Sequence, residues 1–559
     1  MRIHNEYKVR ISGRIPVRSE ALMSPRLLAA ALVCCSSIFS ILTPVVVAQG
    51  PGVPKQIAYI KASNPGMFDH FGEGGALDGH IGNAVAVSGD GNTIAVGAQH
   101  ESSSARGVNG NQNNDDAYNS GAVYVFARNG GSWTQQAYVK ASNAGNGDHF
   151  GNTVALSADG NTMAVGAFWE SSSATGVNGS EDNNSIPQAG AVYVFTRRGG
   201  TWTQQAYIKA SNTGNAGEGE LPGEGDQFGF SVALSDDGNT LAVGAPSEDS
   251  SASGINGNQK DESALTAGAV YLYARSGTAW TQQAYVKSDT PPMGTAGDQF
   301  GYSVALNGDG NTVAIGVYDE GGSGRSVNAP IDTMRNGSGA VYVLVRKGTI
   351  WTRQGYLKTW NSEGGDSWGV SVALSDDGNT LAMGSIDEDC LCTGVVNAPS
   401  DAGAADQKAD RSAGAVAIFV RSGTTWTQQA YIKASNTGQN DWFGVRLALS
   451  GDGNTLAAGA QNEDSAAQGI NGNQKDESAE EAGAVYLFAR SGAMWAQQAY
   501  IKGSNTQAYD EFGGSVALSR DGRTLAVGAR GEDSGATGVN GNQADNSVDE
   551  SGAVYVFAR

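Results

Sequence analysis

The chain repeats one sentence seven times between Ile57 and Arg559. Its fullest copy runs Phe228-Gly-Phe-Ser-Val-Ala-Leu-Ser-Asp-Asp-Gly-Asn-Thr-Leu-Ala-Val-Gly-Ala245, then, after a polar stretch, Gly268–Tyr273 and Trp280–Lys287. A repeat of this kind means stacked supersecondary units, none of which can bury its apolar faces alone. The Gly that opens each innermost strand is read at 82, 151, 229, 301, 369, 444 and 513, at spacings of 68 to 78 residues. That exceeds the ~40–50 residues of common propeller repeats, and the excess lies in loops.

Each unit holds four apolar runs of strand length. The first is Val-Ala-Leu-Ser, as at Val154–Ser157 and Val516–Ser519, and an Asp-Gly turn such as Asp237-Gly238 joins it to Leu-Ala-Val-Gly-Ala, as at Leu525–Ala529. An Asp-Gly between apolar runs is a strong hairpin signal. The third run is Ala191–Phe195 and its equivalents, and the fourth is Trp202–Lys209. Runs two and three scarcely alternate, which predicts strands buried on both faces; run four carries Gln and Lys and suits a half-solvated outer edge. Four antiparallel strands per unit, repeated radially, make a blade. The chain starts with a spare fourth strand, Gln56–Lys61, and ends on a third, Ala553–Arg559. Pairing these removes the exposed sheet edges. The expected fold is therefore all-β: a seven-bladed β-propeller of four-stranded antiparallel blades, closed by the N-terminal strand completing the last blade.

Phe-Gly opening the first strand, Gly-Ala closing the second and Gly-Ala-Val-Tyr-Val-Phe on the third resemble the FG-GAP repeat. The likeness spans about 56–559 and implies a seven-bladed propeller, as in integrin α-subunits and related bacterial surface proteins, used outside the cell for adhesion or recognition. One departure matters. Integrin-type blades often carry an Asp-x-Asp-x-Asp-Gly calcium loop between strands one and two. Here that connection is only Ser235–Thr240 or Ser450–Thr455, too short for the six to eight oxygens calcium takes.

The N-terminus reads as an export signal over 1–48, with Met23 as an alternative start. Arg14, Arg18 and Arg26 precede an apolar run from Leu27 to Val47, and Val46-Val47-Ala48 offers a cleavage site. An uncleaved anchor is the alternative. The remaining domain, 49–559, is then expected to be secreted, periplasmic or at the cell surface, as a monomer. The whole chain carries 35 basic and 56 acidic residues, net −21. Such a balance repels nucleic-acid phosphates and anionic lipid. Cys390 and Cys392 are the two cysteines beyond the leader and could pair in an oxidising compartment.

Alternate connections of an antiparallel blade leave on one side, so the loop into the first strand and the long second-to-third loop share a rim. Glu248–Asp261 recurs almost verbatim as Glu463–Asp476. Glu248, Asp249, Asn256, Asn258 and Asp261, with Glu463, Asp464, Asn471, Asn473 and Asp476, are hard-oxygen donors at a density that suits calcium. The competing reading is that they close turns and cap backbone. An acid two residues before the strand-opening aromatic (Asp148, Asp226, Asp298, Asp366, Asp441, Asp510) reads as a turn-closing Asp. Trp169, Tyr318, Trp360 and Trp442 are extra to the repeat and are the candidate ligand-binding residues, since aromatics stack on sugars and anchor interfaces. Beyond the leader, His70, His80, His100 and His149 lie in the first two blades without a nucleophile motif beside them. The expected role is a binding or adhesion module that recognises a protein or glycan through the acidic loop rim and is not an enzyme. A polysaccharide-acting propeller enzyme and a purely structural surface protein are the alternatives.

Overall fold

The computed structural model describes residues 52–73, 82–214, 225–289, 297–335, 337–397 and 412–559. The leader, with Cys34 and Cys35, and His80 lie outside them. Residues Gln49–Arg559 form one compact unit. Seven antiparallel sheets make up the described residues. The third is representative: Ser231–Leu234, Thr240–Ala245, Ala269–Ser276 and Ala279–Val286 run from the axis outward, in register at Val232↔Val243, Val243↔Tyr271 and Tyr271↔Tyr285. Its second strand is buried along its whole length, as the unbroken apolar run predicts. The core is a set of between-blade layers, each built from the facing sides of two neighbouring sheets. Among the described residues no helix is long and apolar enough to cross a membrane.

The ring closes as the termini predict. Lys55–Ile60 pairs antiparallel with Ala553–Ala558, with Tyr59 opposite Tyr555, completing the sheet that contains Ser515–Leu518 and Thr524–Ala529. Near the axis a belt of backbone hydrogen bonds runs around all seven blades. The amide of Gly89 donates to the Ala158 carbonyl, Ala158 to Asp236, Asp236 to Gly308, Gly308 to Asp376, Asp376 to Gly451, Gly451 to Arg520, and Arg520 back to Gly89, at 2.8–3.2 Å. The strand-one turns that supply this belt are held by their own side chains. Asp237 accepts from Ser235 Oγ and from the Asn239 amide, which satisfies its carboxylate locally.

The repeat's glycines also have a physical reason. A Cβ on Gly244, which closes a second strand, would stand against the carbonyl oxygen of Gly301, which opens the next blade; the same clash recurs between Gly528 and Gly72. Gly301 itself has φ +91°, open to glycine and strained for other residues. The pairing corrects the assignment of the first blade. Its Phe-Gly is Phe71-Gly72, whose amide donates to the Gly97 carbonyl as Gly229 does to Gly244, and Gly82 instead follows an insertion.

Two further layers hold the outer strands, and the first ties blade to blade. In the third, Trp280 Nε1 donates to Gln205 Oε1 of the second blade while Arg275 covers the Trp280 ring. Trp202, Trp351, Trp426 and Trp495 are clamped alike. At Trp133 the N-terminal strand offers Ile57 in place of that Gln, and Trp133 Nε1 is buried without a hydrogen-bond partner. The outer strands are half-buried, as a half-solvated edge predicts, but the second layer shows that the lysines ending them are not part of the solvated face. Lys61, Lys140, Lys209, Lys287, Lys358, Lys433 and Lys502 are all buried, each against the Glu that starts its blade's long loop.

Candidate functional site at the mouth of the loop rim

The long loops are built by the residues proposed from sequence as oxygen donors, and each has protein partners. Glu248 lies buried; Lys287 Nζ donates to its Oε2 at 2.5 Å, and Tyr285 and Asn212 donate to Oε1 at 2.7 and 2.8 Å. Glu463 repeats this with Lys502, Tyr500 and Asn436. Asp249 and Asp464 accept the amides of Thr266 and Glu481. Asn256 and Asn471 adopt φ +59° and +55°, and their side-chain oxygens accept the Tyr285 and Tyr500 amides at 3.0 Å, tying loop to outer strand. Asn258, Asp261, Asn473 and Asp476 close turns two residues on, at Lys260, Ser263, Lys475 and Ser478.

The recurring Asp closes a turn as well: Asp148, Asp226, Asp366, Asp441 and Asp510 accept the amides of Gly145, Gly214, Glu363, Gly438 and Gln507 at 2.6–2.9 Å. Each turn forces the next residue into the left-handed region. His70, His149, Gln227, Gln299, Ser367, Trp442 and Glu511 have φ between +52° and +58°, a sparsely populated state for side chains other than Gly and Asn. Each such turn leads directly into the strand-opening aromatic.

The two residues after each second strand meet these turns near the axis. On one arc they are aromatic. Phe168, Phe230, Tyr302, Val370, Ile386 and Val445 form a buried cluster, and Trp169, Tyr318 and Trp442 pack on it half-exposed. Phe168 meets Phe230 edge-on at 5.9 Å, Phe230 lies 5.0 Å from Tyr302, and Tyr302 stacks on Tyr318 at 4.9 Å. The structure thus brings together three of the four aromatics singled out in the sequence. Trp360 lies elsewhere, in the layer with Trp368 and Tyr431. Beneath the aromatic arc is a cavity of about 100 Å³, lined by first-strand residues with Arg446 among them. The Arg446 guanidinium donates to the carbonyls of Gly82 and Val445, and burial lowers it to about 9.

The opposite arc is charged. His70, His100 and His149 follow one another with ring centroids 4.7 and 5.0 Å apart, and His149 meets Trp169 at 4.5 Å, joining the two arcs. Nδ1 of His70 and of His100 are 2.9 Å apart, and His70 Nε2 donates to Glu550 at 2.8 Å. Glu73 is buried 3.5 Å from His70 Nδ1 and accepts from Gln99. Burial alone would lower His70, but Glu73 and Glu550 lift it to about 9; burial would raise Glu73, but His70, His100 and Arg530 hold it near 2. Arg530 closes the arc with two bonds to Glu511. Sequence reasoning passed over this arc. The signal was there: Arg530 occupies the same repeat column as Phe168 and Tyr318, His100 the column of Trp169, and His70 and His149 the column before the Phe.

Residues 133–195, 426–488 and 495–557 match the FG-GAP repeat family. No curated protein matches the chain. Solved structures similar to it include a periplasmic gluconolactonase from Pseudomonas aeruginosa (13% identity, covering 82% of this chain and 98% of that one, TM-score 0.43). The WD40 repeats of RRP9 (9%, 89% and 99%, TM-score 0.40) and the Cps50 (Swd1) β-propeller domain of Myceliophteria thermophila (8%, 85% and 96%, TM-score 0.42) are others. At these scores they carry no argument here. The three matched repeats and the seven blades built on one pattern make this chain an FG-GAP repeat β-propeller.

Proposed function

We propose that the protein is a secreted or surface-attached binding module, not an enzyme, that recognises a glycan or protein partner at the mouth of its loop rim. The observation that carries this reading is the convergence of Trp169, Tyr318 and Trp442, from three different blades, on one half-exposed aromatic arc. Flat aromatic faces held by a packed support offer stacking surface at little entropic cost. The rim adds exposed apolar side chains on both kinds of loop: Met67, Phe68 and Tyr509 before first strands, Tyr118, Met334 and Leu391 after second strands. The leader-like N-terminus, the acidic balance and the bonded Cys390–Cys392 pair support a place outside the cytoplasm. The reading needs no calcium, because the loops are held by protein donors.

Arrays of glycans and of extracellular proteins, probed with wild type, Trp169→Ala, Trp442→Ala and the opposite-rim control Met494→Ala, test it. The expected outcome is retention of a ligand class that both mouth substitutions weaken at least tenfold and Met494→Ala leaves unchanged. No retention on either array, or retention indifferent to the mouth substitutions, would contradict it.

A further inference from the structure

The charged arc contains a grouping that ligand recognition by aromatics does not use. Among the described residues, His70, Glu73 and His100 are the one group of three His, Cys, Asp or Glu whose ligand atoms all lie within 4.8 Å of one another. We propose that these three residues bind a divalent transition-metal ion of the zinc type, with a fourth position left to water or to a ligand at the mouth. A tetrahedral site with metal–nitrogen bonds of about 2.0–2.1 Å places neighbouring ligand atoms about 3.3 Å apart. The Nδ1–Nδ1 separation of 2.9 Å and the His70 Nδ1–Glu73 Oε1 separation of 3.5 Å bracket that value. Two imidazoles and one carboxylate suit zinc rather than calcium, which takes six or more oxygens.

The surroundings of each ligand are those a metal site needs. Metal-bound histidines usually give their other ring nitrogen to a carboxylate or carbonyl, which fixes the ring and its tautomer. His70 Nε2 is on Glu550, the backbone of Phe68 hydrogen-bonds the His100 ring, and Gln99 holds the second oxygen of Glu73. The nearest cation, Arg530, stands 3.6 Å from Glu73 but is bound bidentately by Glu511. Glu73, Glu511 and Glu550 against Arg530 leave the arc with an excess of negative charge. His70 and Glu73 are buried, whereas His100 and Glu550 are partly exposed, so the site opens toward the mouth. The inference is independent of which partner the aromatic arc takes.

The test uses the full chain after leader removal, stripped with chelator, reloaded with zinc and desalted. One zinc per chain is expected by elemental analysis, undisturbed by millimolar calcium. His70→Ala and His100→Ala should weaken zinc binding at least about 100-fold and Glu550→Gln about 10–100-fold, while His149→Ala leaves it unchanged. Cobalt(II) in the wild type should give the intense visible bands of a four-coordinate site, a readout that stands even where a variant fails to fold. Less than stoichiometric zinc, retention that survives both His70→Ala and His100→Ala, or the weak bands of a six-coordinate cobalt site would overturn the proposal.

Discussion

Asp148, Asp226, Asp366, Asp441 and Asp510 are buried in equivalent turns, and burial, reinforced by neighbouring carboxylates, outweighs their backbone hydrogen bonds. The carboxyls of Asp148, Asp366 and Asp441 are pushed up to about 7, that of Asp510 to about 8, and that of Asp226 well above its ordinary value. A carboxyl whose folded pKa exceeds its unfolded one binds its proton more tightly in the native state. Its contribution is complete below about pH 4 and is lost as pH rises through 7. The melting midpoint should therefore be several degrees higher at pH 5 than at pH 7.5, and Asp441→Asn should shrink the difference. A midpoint that is flat or rises across that range would contradict the assignment. The turn-closing role of these aspartates was legible from their place before Phe-Gly. The left-handed residue that follows was not, since His, Gln, Ser, Trp and Glu carry no common signal for positive φ. That is why His70 and His149 were not placed at the mouth, although Trp169 and Tyr318, conspicuous by size, were noticed.

At the scale of strands and loops, the apolar runs state their own burial and the Asp-Gly turns state the hairpins, so the blades were legible except for the Phe-Gly that opens the first, which an insertion separates from its strand. The seven lysines were not, because each finds its partner in a loop remote in sequence: Glu463 and Lys502 are 39 residues apart. Read alone, the end of Gln-Ala-Tyr-Ile-Lys resembles a solvated edge; read with Glu463, Tyr500 and Asn436 it is the anchor of a long loop. The same distance explains why Glu248 and Glu463 looked like free oxygen donors. Removing one member of a buried ion pair strands the other and costs about 3–5 kcal/mol. Lys502→Met should therefore lower the unfolding free energy by about that amount in a denaturant melt, and Glu463→Gln added to it should restore part of the loss. A cost near that of an exposed ion pair, below about 1 kcal/mol, would mean the pair does not hold the loop.

For the whole molecule, closure is the property on which the rest depends. The mouth exists because turns from different blades face one axis, and that arrangement persists only if the ring cannot open. Closure was legible because the sequence has a spare outer strand at one end and lacks one at the other. Its means were not legible: the belt from Gly89 through Arg520 is backbone alone, and the Lys61–Glu532 ion pair spans 471 residues. The N-terminal strand also carries Ile57 where its counterparts supply the Gln that satisfies a tryptophan. Calorimetry of a chain lacking residues 52–61 tests closure most directly. The deletion should strip the last blade of its outer strand, leave Glu532 buried without Lys61 and Tyr59, and lower the single unfolding transition of the entire domain. Adding a peptide of residues 52–63 should raise it again by mass action. A deleted chain that melts with the intact one, or that loses only a small separate transition, would contradict a ring held shut by its first strand.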